Sequence, residues 1–132
     1  MLEYPYKRIQ GSSFPLIPVT LSTPNGITLP PLLALPDSGA IISLFQAEIA
    51  QLLGLDLTAG PEIDLVGIRD GLKGYVHLVQ CKVGWYTCSC RIAFSAELTT
   101  DFQILGRLDF FEKYTVLFDE TDQKLYLTPR VT

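Results

Sequence analysis

The chain has 132 residues, the size of one domain, which buries roughly two-thirds of its unfolded surface, and residues 1–132 are read as a single unit with no linker, repeat or low-complexity stretch. Its net charge is −4 and its ten basic residues are scattered, with Lys7-Arg8 the only adjacent pair, so no basic stripe exists to neutralise phosphates and nucleic acid is excluded as a direct partner. Hydrophobic residues make up 48% of the chain, high for a monomer wholly surrounded by water, and a second copy of the chain is the expected cover for part of that surface.

Met1 to Gln10 has no apolar signal core, and Leu32 to Leu35 is too short to cross a bilayer, so no membrane partner and a cytoplasmic location are expected. Leu16 to Ser22 and Ile27 to Leu35 flank Thr23-Pro24-Asn25-Gly26, a strong turn signal, and predict a hairpin. Its prolines at 15, 18, 30 and 31 predict a place near a sheet edge. Ser43 and Gln46 have capping-box spacing, and Leu44, Ala47, Ala50 and Leu53 follow a helical period up to Gly54, which predicts the main helix over about 44–53. Ile63–Val66 and Tyr75–Val83 read as strands around the glycine-bearing tip 67–74. Gly84-Trp85 turns the chain so that Tyr86–Phe94 runs back along Tyr75–Val83. Phe102–Leu105 is a short strand, Arg107–Lys113 one or two helical turns, and Tyr114–Phe118 with Lys124–Leu127 a last hairpin. Many short strands with few helices predict a mostly-β barrel or sandwich.

The segment Pro36-Asp37-Ser38-Gly39-Ala40 follows the apolar run Pro31-Leu32-Leu33-Ala34-Leu35. From the residues alone it is either an ordinary turn, with Asp and Ser bonding nearby amides, or a carboxylate placed for chemistry. Over approximately residues 8–128 the order of features resembles the retropepsin-like aspartic proteases, and bacterial or cellular members more than viral ones. Leu33 to Ala40 resembles their catalytic loop, Val66 to Tyr75 their flap, and Phe102-Gln103-Ile104-Leu105-Gly106-Arg107 the element before their short helix.

The resemblance implies a closed, barrel-like acid-protease fold with one main helix and a short C-terminal helix. It implies Asp37 as the catalytic residue of an aspartic endopeptidase, with Ser38, Gly39 and Ala40 supporting it. Gly67, Ile68, Gly71, Leu72 and Gly74 would form the flap over a peptide substrate, and Ile104, Leu105, Gly106 and Arg107 would brace the site. Asp56, Asp64, Asp70, Asp101, Asp109, Asp119 and Asp122 lack the motif, so a second carboxylate must come from a homodimer. Two close carboxylates share one proton and activate water with no metal or other cofactor. Ala40 offers the carboxylate no hydroxyl, which predicts a weakly acidic pH optimum. Ile41 stands where viral members carry an acidic residue that pairs with the arginine at 107, so Arg107 lacks that partner, and Asp109 is too near in sequence to be assumed as its substitute. The rival reading is a peptide-binding or structural module that keeps the fold without turnover.

Cys81, Cys88 and Cys90 are too few and odd in number for a disulfide framework and are expected to be reduced. With His77 they make a possible zinc set of poor spacing: Cys81 and Cys88 face each other across the hairpin, Cys88 and Cys90 share one face, and His77 lies about four residues along. No metal site is predicted. Ser-His-Asp catalysis is discounted because His77 is the only imidazole and no serine sits in a nucleophile elbow.

Overall fold

The computed structural model describes residues 1–65 and 71–130. Its strands are β1 (Leu2–Pro5), β2 (Lys7–Ile9), β3 (Ser12–Phe14), β4 (Ile17–Ser22), β5 (Leu32–Pro36), β6 (Ser43–Gln46), β7 (Glu62–Leu65), β8 (Leu72–Val83), β9 (Tyr86–Ser95), β10 (Gln103–Leu105), β11 (Tyr114–Asp119) and β12 (Lys124–Pro129). Among the described residues the one regular α-helix, α1, spans Ala47–Leu52, and a 3-10 turn covers Leu57–Ala59. None of the described helices is long and apolar enough to cross a membrane.

A seven-stranded sheet runs β4-β5-β10-β6-β9-β8-β7, and an additional β4–β8 pairing closes six of these strands into a barrel. The length of β8 permits this. From Tyr75 to Val83 it pairs with β9, while its start pairs with β7 and its end, through Gln80 to Lys82, with Ser22 to Thr20 of β4. The predicted hairpin is therefore present, with Ile17 to Val19 paired to Ala34 to Leu32, but not at an edge. The second half of β4 leaves β5 and serves as the closing seam, which the prolines do not prevent because they lie outside Thr20–Ser22.

Alternation supplies the core. Ile17, Val19 and Leu21 of β4, Val79, Cys81 and Val83 of β8, and Cys90, Ile92 and Phe94 of β9 all point into one buried cluster with Phe45, Phe110, Tyr114, Leu125 and Leu127. Ala93, on the opposite face of β9, joins a second cluster with Ile42, Leu44 and Leu98, against which Leu65, Leu72, Ile104 and Leu108 pack. A separate sheet, β1-β12-β11, lays Leu125 and Leu127 onto the main core.

The Gly84-Trp85 hairpin forms in the predicted register, with Val83 opposite Tyr86 and Cys81 opposite Cys88, and Gly84 takes φ +61° at the turn. Trp85 is exposed at its tip rather than packed. Strand β8 begins at Leu72, so the predicted tip is shorter than 67–74. The largest correction concerns 44–53. Ser43 to Gln46 form a parallel strand against Ile92 to Ser95 of β9, and the helix starts only at Ala47. Leu44 and Phe45 are buried on opposite faces, in separate clusters, which a strand permits and a helix does not. No capping box exists: the Gln46 N–H donates to Gln103 Oε1 (2.8 Å), not to Ser43. The stop is as predicted, with Gly54 at φ +74° and its N–H bonded to the Gln51 carbonyl. The C-terminal helix is a wide turn, Arg107–Phe111, interrupted at Leu108 and Asp109. Strands β1, β2 and β3 carry too few periodic residues to be read from sequence.

Candidate active site

Strand β5 runs parallel to β10, with Ala34, Leu35 and Pro36 opposite Gln103, Ile104 and Leu105. At the end of this pair the chain leaves the sheet as Asp37, whose N–H donates to the Leu105 carbonyl at 2.8 Å. The next residues form a tight turn: the Ala40 N–H donates to the Asp37 carbonyl (3.1 Å) and the Gly39 N–H to the carboxylate Oδ1 (2.9 Å). A Cβ on Gly39 would lie 3.2 Å from that oxygen, so glycine leaves the carboxylate uncrowded. Asp37 is half-buried, and Ser38 and Gly39 are exposed beside it. One face of the carboxylate is thus tied to backbone and another is open to solvent.

The residues after β10 grip this turn from behind. The Arg107 N–H donates to the Ala40 carbonyl and the Leu108 N–H to the Ile41 carbonyl, each at 2.9 Å, and the Gly106 N–H donates to Ser43 Oγ at 3.0 Å. Gly106 is needed for the approach, since a Cβ there would lie 2.6 Å from the Ile42 oxygen and 2.9 Å from its nitrogen. Ile104, Leu105 and Arg107 therefore contact the Asp37 turn or the strand leading to it, and Gly106 contacts Ile42 and Ser43 just after it. The Arg107 side chain is exposed, and Ile41 is 66% exposed.

Asp109 was not assigned from sequence, yet it is the most constrained carboxylate near this turn. It is only 8% exposed, adopts φ 68° and ψ −46°, and accepts bonds from the Arg91 backbone N–H (2.8 Å), Nε (3.0 Å) and Nη2 (3.1 Å). Such backbone geometry costs on the order of 1–3 kcal/mol in a residue with a side chain. Hydrogen bonding from Arg91 holds the Asp109 carboxyl below the ordinary aspartate range, against an opposing push from burial. Ser43 was also missed, because its spacing to Gln46 imitates a helix cap.

Of the predicted flap residues, Gly67 and Ile68 lie outside the described residues. Gly71 has φ +52°, while Leu72 and Gly74 are strand residues opposite Leu65 and Ile63. The base of this hairpin is tied down by Ser95 Oγ donating to the Lys73 carbonyl (2.7 Å), and Leu72 shares the apolar cluster of Ile42, Ile104 and Leu108. The hairpin base thus packs on side chains of residues that flank the Asp37 turn in β10 and in the segments 41–42 and 106–109.

The zinc set does not assemble. His77 lies opposite Ile92 and its Nε2 contacts the Leu57 carbonyl at 2.9 Å, apart from the thiols, and no three His, Cys, Asp or Glu among the described residues are placed to hold a metal ion. Cys88 and Cys90 contact each other at 3.6 Å. Hydrogen bonding with Cys81 and burial push Cys90 up to about 12, against an opposing effect of Cys88, and Cys88 is raised as well, first by its bond to Cys90. All three cysteines are free thiols.

A closed β-barrel with an Asp-Ser-Gly turn at the end of a parallel strand pair, gripped by a Gly-containing segment, is a retropepsin-like fold. Comparison with solved structures gives the same class. A retropepsin-like aspartic protease from Rickettsia conorii superposes with a TM-score of 0.68 at 20% identity, over 95% of this chain and 89% of that one. The EIAV protease in complex with the inhibitor HBY-793 superposes with a TM-score of 0.56 at 19% identity, over 80% of this chain and 92% of that one. No family model and no curated protein matches the sequence.

Proposed function

We propose that the chain is one half of an aspartic endopeptidase, active as a C2 homodimer in which Asp37 and its symmetry mate share one proton. The observation that carries this reading is the Asp37 turn itself: a carboxylate held by the Gly39 amide, on a backbone whose Asp37 N–H is tied to the Leu105 carbonyl, yet open on the side of Ser38 and Gly39. The ionised carboxylate takes a proton from a bound water as its oxygen attacks the scissile carbonyl carbon. The protonated carboxyl meanwhile donates to the carbonyl oxygen. The resulting gem-diol collapses with cleavage of the C–N bond, and the leaving nitrogen takes up a proton. Two carboxylates and water suffice, so no cofactor enters the scheme.

In this scheme Ser38 braces the dyad across the two-fold axis, Gly39 offers backbone to aspartate and substrate, and Ala40 completes the turn. The hairpin tip that includes Gly67, Ile68 and Gly71 closes over an extended peptide, excluding water from the dyad. The optimum is expected at weakly acidic pH. An optimum below about pH 3, near the bottom of the aspartate range, counts against the scheme.

The test compares wild type with Asp37→Asn on an unfolded protein mixture. Cleavage by wild type with a loss on the order of 10²–10⁴-fold in the variant is expected. Equal cleavage by both removes the assignment, whereas cleavage by neither leaves a peptide-binding module with this fold.

A further inference from the structure

The segment that grips the Asp37 turn has little internal bonding of its own, because Leu108 and Asp109 depart from helical dihedrals. Something else must hold its backbone against Ala40 and Ile41. An ion pair between Arg107 and residue 41 is not available, since residue 41 is an exposed isoleucine. Three ion pairs occur among the described residues, and those of Lys73 with Glu62 and Lys124 with Glu3 lie elsewhere. The third joins Asp109 to Arg91.

We infer that Asp109 and Arg91 are the positioning pair of the candidate site, tying the 106–109 segment to β9 so that this segment fixes Ala40 and Ile41 behind Asp37. The inference rests on the proposed peptidase reading for its catalytic consequence, but its mechanical part does not. Pairing of β6 with β9 begins at Ile92, and next to it the Arg91 N–H donates to Asp109 Oδ2, so the carboxylate extends the ladder by one residue. The guanidinium closes a two-point fork on the same carboxylate through Nε and Nη2. Two further bonds support the assembly: the Asp109 N–H donates to Glu112 Oε1 (2.7 Å), and Lys113 Nζ donates to the Ser89 carbonyl of β9 (2.7 Å). One residue before Asp109, the Leu108 N–H reaches the Ile41 carbonyl. The chain of contacts from β9 to the Asp37 turn is continuous.

The experiment uses Asp109→Asn, Arg91→Gln and Arg91→Lys, with Lys124→Gln as a control on the exposed pair of the other sheet. Amide hydrogen exchange is followed at Asp37, Arg107 and Leu108 against Val79 and Cys90 in the barrel wall, and peptide hydrolysis is resolved into kcat and KM. Asp109→Asn and Arg91→Gln are expected to speed exchange at Arg107 and Leu108 by about tenfold while Val79 and Cys90 change little. A fall in kcat of about 10- to 100-fold with KM nearly kept should accompany it. Arg91→Lys, which keeps the charge and loses the fork, falls between Arg91→Gln and wild type, and Lys124→Gln changes neither readout. Exchange that rises equally everywhere, or nowhere, overturns the inference, as does selective loosening with kcat unchanged. If wild type cleaves no peptide, the peptidase reading fails while the exchange pattern still decides whether the pair positions the turn.

Discussion

Gly106 has no room for even a methyl group, because the Ile42 backbone occupies that space. Gly106→Ala must push the two segments apart, so a loss of at least about 1–3 kcal/mol in unfolding free energy is expected, measurable by urea titration. Ser43→Ala removes the acceptor of the Gly106 N–H and leaves that donor buried. A loss of about 1–3 kcal/mol is expected there too. Asp109 adds a pH dependence with a definite sign. Its carboxyl titrates below the ordinary value of 3.8, first because Arg91 hydrogen-bonds the charged form. A depressed folded-state value means that the stabilisation is complete above that ordinary value and is lost as pH falls through the folded one. The wild-type melting temperature should therefore fall more steeply than that of Asp109→Asn as pH drops below about 4. An equal slope for both would show that the ion pair does not drive the acid loss.

At the scale of elements, the strands that send alternate residues into the main core were legible: β4 throughout, β8 through Val79, Cys81 and Val83, and β9 through Cys90, Ile92 and Phe94, with the Gly84 turn fixing the register of the last two. The Asp37 turn was legible because an apolar strand, an acidic turn and a glycine follow one another directly. Segment 43–46 was not, since Leu44 and Ala47 suit a helical period as well as a strand end, and only the parallel partner β9 decides between them. Asp109 was illegible for a related reason. Its partner Arg91 lies on another element, and no local spacing announces the contact. Phe45 tests the corrected element directly. It is fully buried and meets Phe94 edge-on at 6.3 Å, so Phe45→Ala should cost about 3–5 kcal/mol. A helix beginning at 44 would place that side chain differently, and a cost below about 1 kcal/mol would contradict the strand.

At the scale of the whole molecule, one chain supplies one Asp-Ser-Gly turn, so the proposed activity belongs to a pair. Specific activity is expected to fall on dilution through the dimer dissociation constant, and sedimentation should show the same midpoint. Activity constant down to a fully monomeric sample would refute the shared dyad. The parallel contact of β5 with β10 has a consequence of another kind. It joins residues 34–36 to residues 103–105, with three of the six barrel strands, β6, β8 and β9, between them in sequence. The ordering entropy of that long loop must be met before the contact returns anything. The Asp37 turn is therefore expected to take shape late in folding, on the millisecond-to-second scale of non-local β topologies, and a growing chain cannot present it until residues 103–108 have been made.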